Sequence, residues 1–312
     1  MLKTSIIIPV YNAVSFLEKA VNSALQFPEV KEILLIEDCS TDDSLKICEK
    51  LASENSLIKL FQHADKKNHG AAASRNLGLK KASQEFIAFL DADDYYLPNR
   101  FEAERDIFKN IKMEGVFGAI GTEFLTEKGK IAFQEKFKNK ELTTVNYSAE
   151  GEKVFNGLLG LNPQVFGTFF HLNTLTIRRD SLLKNHLEFN ENLRVHQDSD
   201  FIIKLAHLCY LKNGIIDKAI AIRGVHDDNR ITKIIAYSEK YNERQFLLWN
   251  SLFQWAKTQN LDKKQQNVIY LQKNSFELAT KKGLNKAFHL LKIVMKNPEI
   301  LRTKYRFTYL MR

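Results

Sequence analysis

The sequence predicts an α/β fold in which helices flank a mainly parallel sheet, with a helical appendage at the C-terminal end. Three observations support this prediction. Short β-branched runs alternate with longer helical patterns over the first third of the chain. After His226, helix-period stretches follow one another with almost no strand pattern. The chain has 312 residues, 44% of them apolar, which is enough for a sizeable core.

The regular part of the pattern runs to about residue 90. Its helices begin beside glycine or polar residues such as Asn12, Ser40 and Gly70, which suit helix starts. The predicted strands are residues 5–10, 32–36, 58–62 and 86–90, and the predicted helices are 14–25, 42–53 and 72–82.

The rest of the chain divides at about residue 225. Residues 1–225 are expected to form one domain, with 112–225 as its less regular second half, and 226–312 a helical region with a basic tail. The predicted strands of the second half are 116–124, 175–178 and 214–222, its predicted helix is 198–210, and the later helices are 233–259 and 263–282.

Bulk composition limits the classes of protein that fit. The formal net charge of +9 favours an anionic partner, and nucleotide phosphates, an anionic membrane surface or nucleic acid would each satisfy it. No nucleic-acid-binding module is recognisable, so nucleic acid is not expected. Three scattered cysteines indicate neither a disulfide framework nor a thiolate metal site. No apolar segment is long enough for a spanning helix or a secretory signal, which predicts a cytoplasmic protein.

A cluster of acids follows the predicted strand 86–90. Asp91, Asp93 and Asp94 are costly to place together unless a cation neutralises them, and oxygen ligands favour Mg²⁺ or Mn²⁺. Such an ion could bridge two phosphate groups. The alternative is an acidic turn that caps the helix after Pro98.

Two further candidates lie at neighbouring strand and helix ends. Asp38 follows a strand and could accept hydrogen bonds from a uracil-like base or a ribose; N-capping is the alternative. Arg75 lies in a helix that begins near Gly70, where a guanidinium could clamp a diphosphate. A surface salt bridge is the alternative for Arg75.

Two candidates come from the second half of the chain. Asp198 opens a helix, where the dipole favours an ionised carboxylate that could deprotonate a hydroxyl; helix capping is the alternative. His226 follows a strand, although spacing alone does not make it a ligand.

Four segments taken together closely resemble the family-two glycosyltransferases, which have the GT-A type of fold. They are Pro9-Val10-Tyr11-Asn12, the acidic run 37–42, the stretch from Gly70 to Gly78, and the run 89–94 that contains the D-x-D acids. The resemblance covers the first hundred or so residues closely. It implies a metal-dependent, inverting hexosyl- or N-acetylhexosaminyltransferase. Such an enzyme transfers the sugar of a nucleotide-diphosphate sugar, UDP-sugar foremost, to a hydroxyl acceptor such as a lipid-linked glycan.

The resemblance also implies roles for individual residues. Residues 1–111 would bind the nucleotide sugar and 112–225 the acceptor. Gln197 stands where the family has Glu beside its base, and Glu37 stands where it often has Asp. We expect Pro9, Tyr11, Asp38, Arg75, Asp91 and Ala92 to bind the nucleotide sugar, Asp93 and His226 to hold Mn²⁺ or Mg²⁺, and Asp198 to act as the catalytic base.

Two other functions compete with this prediction. A sugar-phosphate nucleotidyltransferase would need a Gly-rich basic loop after the first strand, where residues 9–12 stand instead. A catalytically idle nucleotide-sugar-binding module would keep the fold without the chemistry. By analogy with the family we expect a part in cell-surface polysaccharide or glycolipid assembly. Acceptor specificity is expected around residues 166–171.

The basic tail leaves two alternatives open. Its lysines and arginines from Lys281 to Arg312 alternate with apolar and aromatic residues such as Phe288 and Tyr309. Such a stretch could lie on an anionic membrane, which would place the protein at the inner face of the cell membrane. It could equally be an amphipathic helix that packs on the domain and exposes a basic face.

Overall fold

The computed structural model describes residues 2–137, 142–167, 170–227 and 238–303. Parts of several predicted segments, namely 168–169, 228–237 and 304–312, lie outside these described residues. A seven-stranded sheet forms the centre of the molecule, in the order β3-β2-β1-β4-β8-β6-β9. Its strands are β1 (Thr4–Val10), β2 (Val30–Glu37), β3 (Ile58–Gln62), β4 (Phe86–Phe89), β6 (Gly115–Phe117), β8 (Thr176–Arg178) and β9 (Leu211–Asn213).

The first four strands of this sheet are parallel, as the alternating pattern predicts. β1 pairs in parallel with β2 and β4, and β2 pairs in parallel with β3. β1 and β2 are almost entirely buried because helices cover both faces, which explains their continuous apolar runs. On one face, Gly78 lets a helix approach so closely that a Cβ would lie 2.4 Å from Ile7 Cγ2.

A second, three-stranded sheet was not predicted. Its order is β5-β10-β7, with β10 parallel to β7 and antiparallel to β5. The predicted strand 116–124 is divided at Gly118 between the two sheets. The predicted strand 214–222 is wrong at its start, because residues 214–218 form the loop that carries the chain from β9 to β10. The strands are β5 (Tyr95–Tyr96), β7 (Ala119–Phe124) and β10 (Ala219–Val225).

Helices cover the sheets and continue into the C-terminal region. Those of the first 225 residues are α1 (Leu17–Leu25), α2 (Ser44–Glu54), α3 (Ala71–Lys81), α4 (Glu102–Ile107), α5 (Glu127–Phe137), α6 (Glu152–Leu158), α7 (Arg179–Lys184) and α8 (Gln197–Leu208). The later ones are α9 (Glu239–Ala256), α10 (Lys263–Thr280) and α11 (Gly283–Lys296).

The predicted helical appendage packs directly on the α/β unit. Leu252 of α9 and Ile269 of α10 are fully buried and share one apolar cluster with Phe201 of α8 and Phe89 of β4. The division of the chain at residue 225 stays a prediction. None of the described helices has both the length and the hydropathy that crossing a membrane requires.

Candidate functional site

The loops after β1 and β2 meet at the carboxyl edge of the sheet. Asn12 joins them: its backbone N–H donates to Ser40 Oγ at 3.1 Å, and its Oδ1 accepts from the Thr41 N–H at 2.8 Å. Asn12 has a φ of 50°, a left-handed conformation that Asn tolerates better than most residues. Nearby, Pro9 lies near the end of β1 opposite Ile36, and Tyr11 exposes about half of its side chain at the rim.

Asp38 lies at this edge and holds the loop that precedes α3. Its two carboxylate oxygens accept hydrogen bonds from the backbone N–H groups of His69 at 2.8 Å and Gly70 at 2.7 Å. Asp38 does not cap the helix that follows it, since α2 begins after Asp43. The N-capping alternative for Asp38 is therefore wrong, and nucleotide contact by this side chain stays a prediction.

The neighbouring acid Glu37 has a structural role. Its carboxylate is buried and accepts hydrogen bonds from the Ser40 N–H at 2.6 Å and from Gln62 Nε2 at 2.7 Å. Glu37 thereby shapes the β2–α2 turn, in which Cys39 has a φ of 60°.

Arg75 and Asp91 form an ion pair in which the arginine is buried and the aspartate is partly exposed. Arg75 Nη2 lies 2.6 Å from Asp91 Oδ1, and the arginine is only 6% exposed, so the surface salt-bridge alternative is wrong. Burial would raise the pKa of Asp91, but the positive charges of Arg75 and Arg223 and interaction with His171 bring it below its usual range. Asp91 is therefore ionised at neutral pH. Ala92, which follows it, is buried.

Asp94 anchors the acidic loop to the small sheet. It accepts hydrogen bonds from Asn173 Nδ2 and, at 3.0 Å, from the Gly224 N–H of β10. Burial, followed by repulsion from Asp93 and Asp91, raises the pKa of Asp94 well above its usual value. Asp94 thus binds a proton more readily than Asp91 does, and its hydrogen bonds hold the loop in place. The run is not simply an acidic turn that caps the next helix, because α4 begins only at residue 102.

The two predicted metal ligands are neighbours. Asp93 Oδ2 lies 3.3 Å from His226 Nε2, although 133 residues separate them in the chain. The His226 ring stacks on Phe16 with a centroid distance of 5.0 Å. Asp93 is partly exposed at the mouth of the site, where a phosphate could reach it.

A second group of possible ligands lies behind this pair. Single ligand atoms of Asp91, Asp94 and His171 all lie within 4.8 Å of one another. Burial and the charge of Arg223 lower the pKa of His171 to about 4, so its imidazole is neutral at pH 7 and could accept a metal. Carboxylate oxygens with an imidazole nitrogen suit a divalent ion such as Mn²⁺, so the side chains present fit a metal.

Asp198 lies in the first turn of α8 and is partly exposed. The helix dipole there favours its ionised form. Asp198 interacts electrostatically with His171, which also interacts with Asp91. The charges of the predicted base and of the acidic motif, which come from distant parts of the sequence, therefore both act on one imidazole.

Asn173 and Arg100 support the site and were missed in the sequence. Asn173 Oδ1 accepts the Asp91 N–H at 3.1 Å. Arg100 is fully buried and donates to the carbonyl oxygens of Asn173 and Leu175, both at 3.0 Å, and to Glu104 at 2.5 Å. Composition marks neither residue, because the backbone groups of the site that Asn173 and Arg100 hold lie far away in the sequence.

Comparison with known proteins fits this geometry. The sequence model described as Glycosyl transferase family 2 matches residues 5–160, half of the chain. The chain belongs to glycosyl transferase family 2. This confirms the resemblance drawn from residues 9–12, 37–42, 70–78 and 89–94.

Individual members of the family and of its fold are also similar. The cholesterol galactosyltransferase of Borreliella burgdorferi is 32% identical over 65% of this chain and 55% of its own length. The curated relatives align over 29% to 55% of their own length, so this chain spans about a third to a half of them.

Solved structures share the fold at lower identity. Staphylococcus aureus TarS 1-349 in complex with UDP-GlcNAc has a TM-score of 0.60 at 22% identity, covering 89% of this chain and 72% of that one. The mannosyltransferase PcManGT of Pyrobaculum calidifontis, in complex with GDP-Man and Mn²⁺, has a TM-score of 0.55 at 14% identity, covering 99% and 83%. The predicted GT-A type α/β fold is confirmed.

Proposed function

We propose that this family-two glycosyltransferase inverts the sugar that it transfers from a nucleotide diphosphate, a UDP-sugar, to a hydroxyl acceptor. One observation carries the proposal: ligand atoms of Asp91, Asp94 and His171 lie within 4.8 Å of one another, and Asp93 Oδ2 lies 3.3 Å from His226 Nε2. These carboxylates and imidazoles suit a metal-bound diphosphate. The charge of Asp198 also acts on His171, which supports Asp198 as the carboxylate that activates a hydroxyl.

The donor would lie across the carboxyl edge of the sheet. Tyr11 and Asp38 flank the joined β1 and β2 loops, which is where a nucleoside would bind in an open α/β sheet, beside Pro9. Arg75 and Asp91, followed by Ala92, lie further along the same edge toward the diphosphate. TarS has been solved with UDP-GlcNAc, which supports a UDP-sugar of the N-acetylhexosamine or hexose type for this chain.

Asp93 and His226 would hold the Mn²⁺ or Mg²⁺ ion. Their side chains lie 3.3 Å apart at the mouth of the site, and Asp93 is partly exposed. A bound divalent cation supplies positive charge that offsets the charge developing on the leaving diphosphate. The Mn²⁺ in the mannosyltransferase structure supports this role.

Asp198 would act as the general base. Its carboxylate takes the proton of the acceptor hydroxyl while that oxygen bonds to the anomeric carbon. The bond from that carbon to the diphosphate oxygen breaks in the same step, and its electron pair leaves with the nucleoside diphosphate. A single displacement of this kind inverts the anomeric configuration and needs no covalent intermediate.

Two relatives support a role in building cell-surface polysaccharide or glycolipid. One is named for transfer to poly(ribitol-phosphate) and the other for transfer to cholesterol. Residues 112–225 would select the acceptor. The predicted specificity region 166–171 belongs to them, and residues 168–169 of it lie outside the described chain. We propose residues 1–225 as the catalytic unit, because the last strand of the described chain, β10, ends at Val225.

The test replaces Asp198 with asparagine, which keeps the shape and removes the base. We expect turnover to fall about 10²- to 10⁴-fold, the usual contribution of a general base, while UDP binding measured by calorimetry stays near wild type. Asp180→Asn, in the first turn of α7, is the matched control and should keep full activity.

Two results would contradict the proposal. One is wild-type turnover in the Asp198→Asn variant. The other is retained anomeric configuration in the product, read by NMR. A chain with no transfer or hydrolysis of any nucleotide sugar in Mn²⁺ or Mg²⁺ would instead favour the idle binding module.

A further inference from the structure

Helix α11 presents an apolar stripe to solvent. At about 100° per residue, its four large exposed side chains fall within about 60° of one another. They are Leu284, Phe288, Leu291 and Met295, with exposed fractions of 77%, 69%, 60% and 81%. The opposite side of the helix packs through Ile293, which is buried against Leu278 and Ile300. The stripe is therefore an outer face of a docked helix.

This exposed stripe differs from one alternative for the basic tail, an amphipathic helix that packs its apolar face on the domain. A helix that packs on the domain through its apolar side would expose lysines and bury Phe288 and Met295. Here both side chains are among the most exposed large apolar residues of the described chain. An uncovered stripe of this kind on a protein surface marks a site of contact with an apolar partner.

The charge around the stripe is positive. Residues 281–296 contain five lysines and no acidic residue. Lys292 and Lys296 lie on one side of the stripe and are exposed. Beside the helix is a cavity of about 660 Å³ whose lining includes Lys281, Lys282 and Lys292 together with Phe288. Lysine nitrogens and an aromatic ring therefore border the same space.

Two acids reduce this charge without cancelling it. Glu239 lies 2.8 Å from Lys282, and Glu277 lies 3.6 Å from Lys281. No acid of the described chain forms an ion pair with Lys292 or Lys296. The uncompensated positive charge is thus greatest at the C-terminal end of α11, beside Leu291 and Met295 of the stripe.

We propose that α11 lies flat in the interface of an anionic membrane, with the stripe among the acyl chains and the lysines at the lipid phosphates. The helix has 14 residues, so it could present a face about 21 Å long. An amphipathic helix with lysines beside its apolar face binds through buried apolar area and attraction to anionic headgroups together. The inference does not depend on the proposed reaction.

The test mixes the full chain with vesicles of phosphatidylcholine alone or with 30% phosphatidylglycerol and measures the bound fraction after flotation. About one lipid in three of the second kind of vesicle is then anionic. We expect binding to the anionic vesicles only, weakening as salt rises, because salt screens the lysines. Phe288→Ser with Met295→Ser should lower the affinity at least about tenfold. Lys292→Gln with Lys296→Gln should lower it about fivefold per lysine.

The matched control removes two exposed apolar side chains elsewhere. Ile111→Ser with Leu183→Ser should bind the vesicles like wild type. Wild-type binding by the Phe288→Ser, Met295→Ser variant, or no binding of the wild type, would overturn the proposal. So would a dimer, seen by sedimentation, that Phe288→Ser with Met295→Ser abolishes, since a second copy would then cover the stripe. Vesicle binding needs no donor sugar, so its failure is distinct from failure of the proposed reaction.

Discussion

His171 is the residue at which the two halves of the candidate site meet. Burial and the charge of Arg223 lower its pKa to about 4 from 6.5, although Asp91 and Asp198 act in the opposite direction. A neutral imidazole can accept a hydrogen bond or bind a metal, whereas a charged one can do neither.

The ionisation of His171 can be measured directly. In metal-free protein we expect its NMR titration near pH 4 rather than 6.5. Because the folded pKa lies below the unfolded value, the unfolded chain binds the extra proton first as pH falls. Folding stability should therefore decrease as pH falls from 6.5 toward 4. His186→Gln, which removes an exposed histidine, is the control and should leave the titration of His171 unchanged. A midpoint for His171 near pH 6.5 would contradict its buried placement.

At this scale the sequence predicted the acids but not the groups that hold them. Asp91, Asp93 and Asp198 stand out because each follows a strand or opens a helix. Asn173 and Arg100 act on backbone carbonyl and N–H groups that only the folded chain brings near. The pairing of Arg75 with Asp91 likewise depends on the packing of α3 on β1 and β2.

Among the elements, β10 has a strict steric requirement at Gly224, where the neighbouring atom belongs to the backbone. A Cβ on Gly224 would lie 2.5 Å from the Asp93 backbone oxygen, closer than real Cβ atoms come to any atom. The same residue donates its N–H to Asp94. The strand and the acidic loop therefore touch backbone to backbone.

Replacing Gly224 with alanine should displace the acidic loop from β10. We expect a loss of stability of about 1–3 kcal/mol, the usual cost of overpacking, with a larger loss of nucleotide-sugar turnover. Gly160→Ala is the comparison, because its Cβ meets nothing within 4 Å and only its φ of 72° opposes the change. That variant should lose about 1 kcal/mol and keep its activity. Thermal unfolding and a turnover assay check both, and equal activity losses would count against a contact effect.

Elements with a strong period were predicted well, and short ones were not. The predicted strand 58–62 matches β3, and the helix 198–210 overlaps α8, since each has a clear apolar face. β5 was missed because a strand of two residues has no period. β7 was merged with β6 in one predicted strand, because the sequence around Gly118 resembles a strand interior.

In the molecule as a whole, Glu32 on β2 joins β1, β3 and the loop that follows α3. It is buried on β2 and accepts hydrogen bonds from Ser5 Oγ at 2.6 Å, Lys59 Nζ at 2.6 Å and the Ser83 N–H at 2.9 Å. Burial would raise the pKa of Glu32, but these hydrogen bonds bring it below 4.5.

A carboxyl group whose pKa is lower in the folded than in the unfolded chain stabilises the fold most when the pH is above its unfolded pKa. The contribution of Glu32 should be complete above pH 4.5 and disappear as pH falls through the lower folded pKa. We expect Glu32→Gln to cost about 2–3 kcal/mol at pH 7 and to flatten the acid side of the stability profile. Glu49→Gln, at an exposed position of α2, should leave the profile unchanged. Denaturant unfolding at several pH values would show this, and a parallel profile in Glu32→Gln would refute it.

The contact between Asp93 and His226 joins distant parts of the chain. The contact closes a loop of more than a hundred residues, and it forms only when β10 has paired with β5 and β7. Long-range closures of that kind come late in folding. The part of the sheet formed by β1 to β4 should therefore fold before Asp93 and His226, the proposed metal ligands, come into contact.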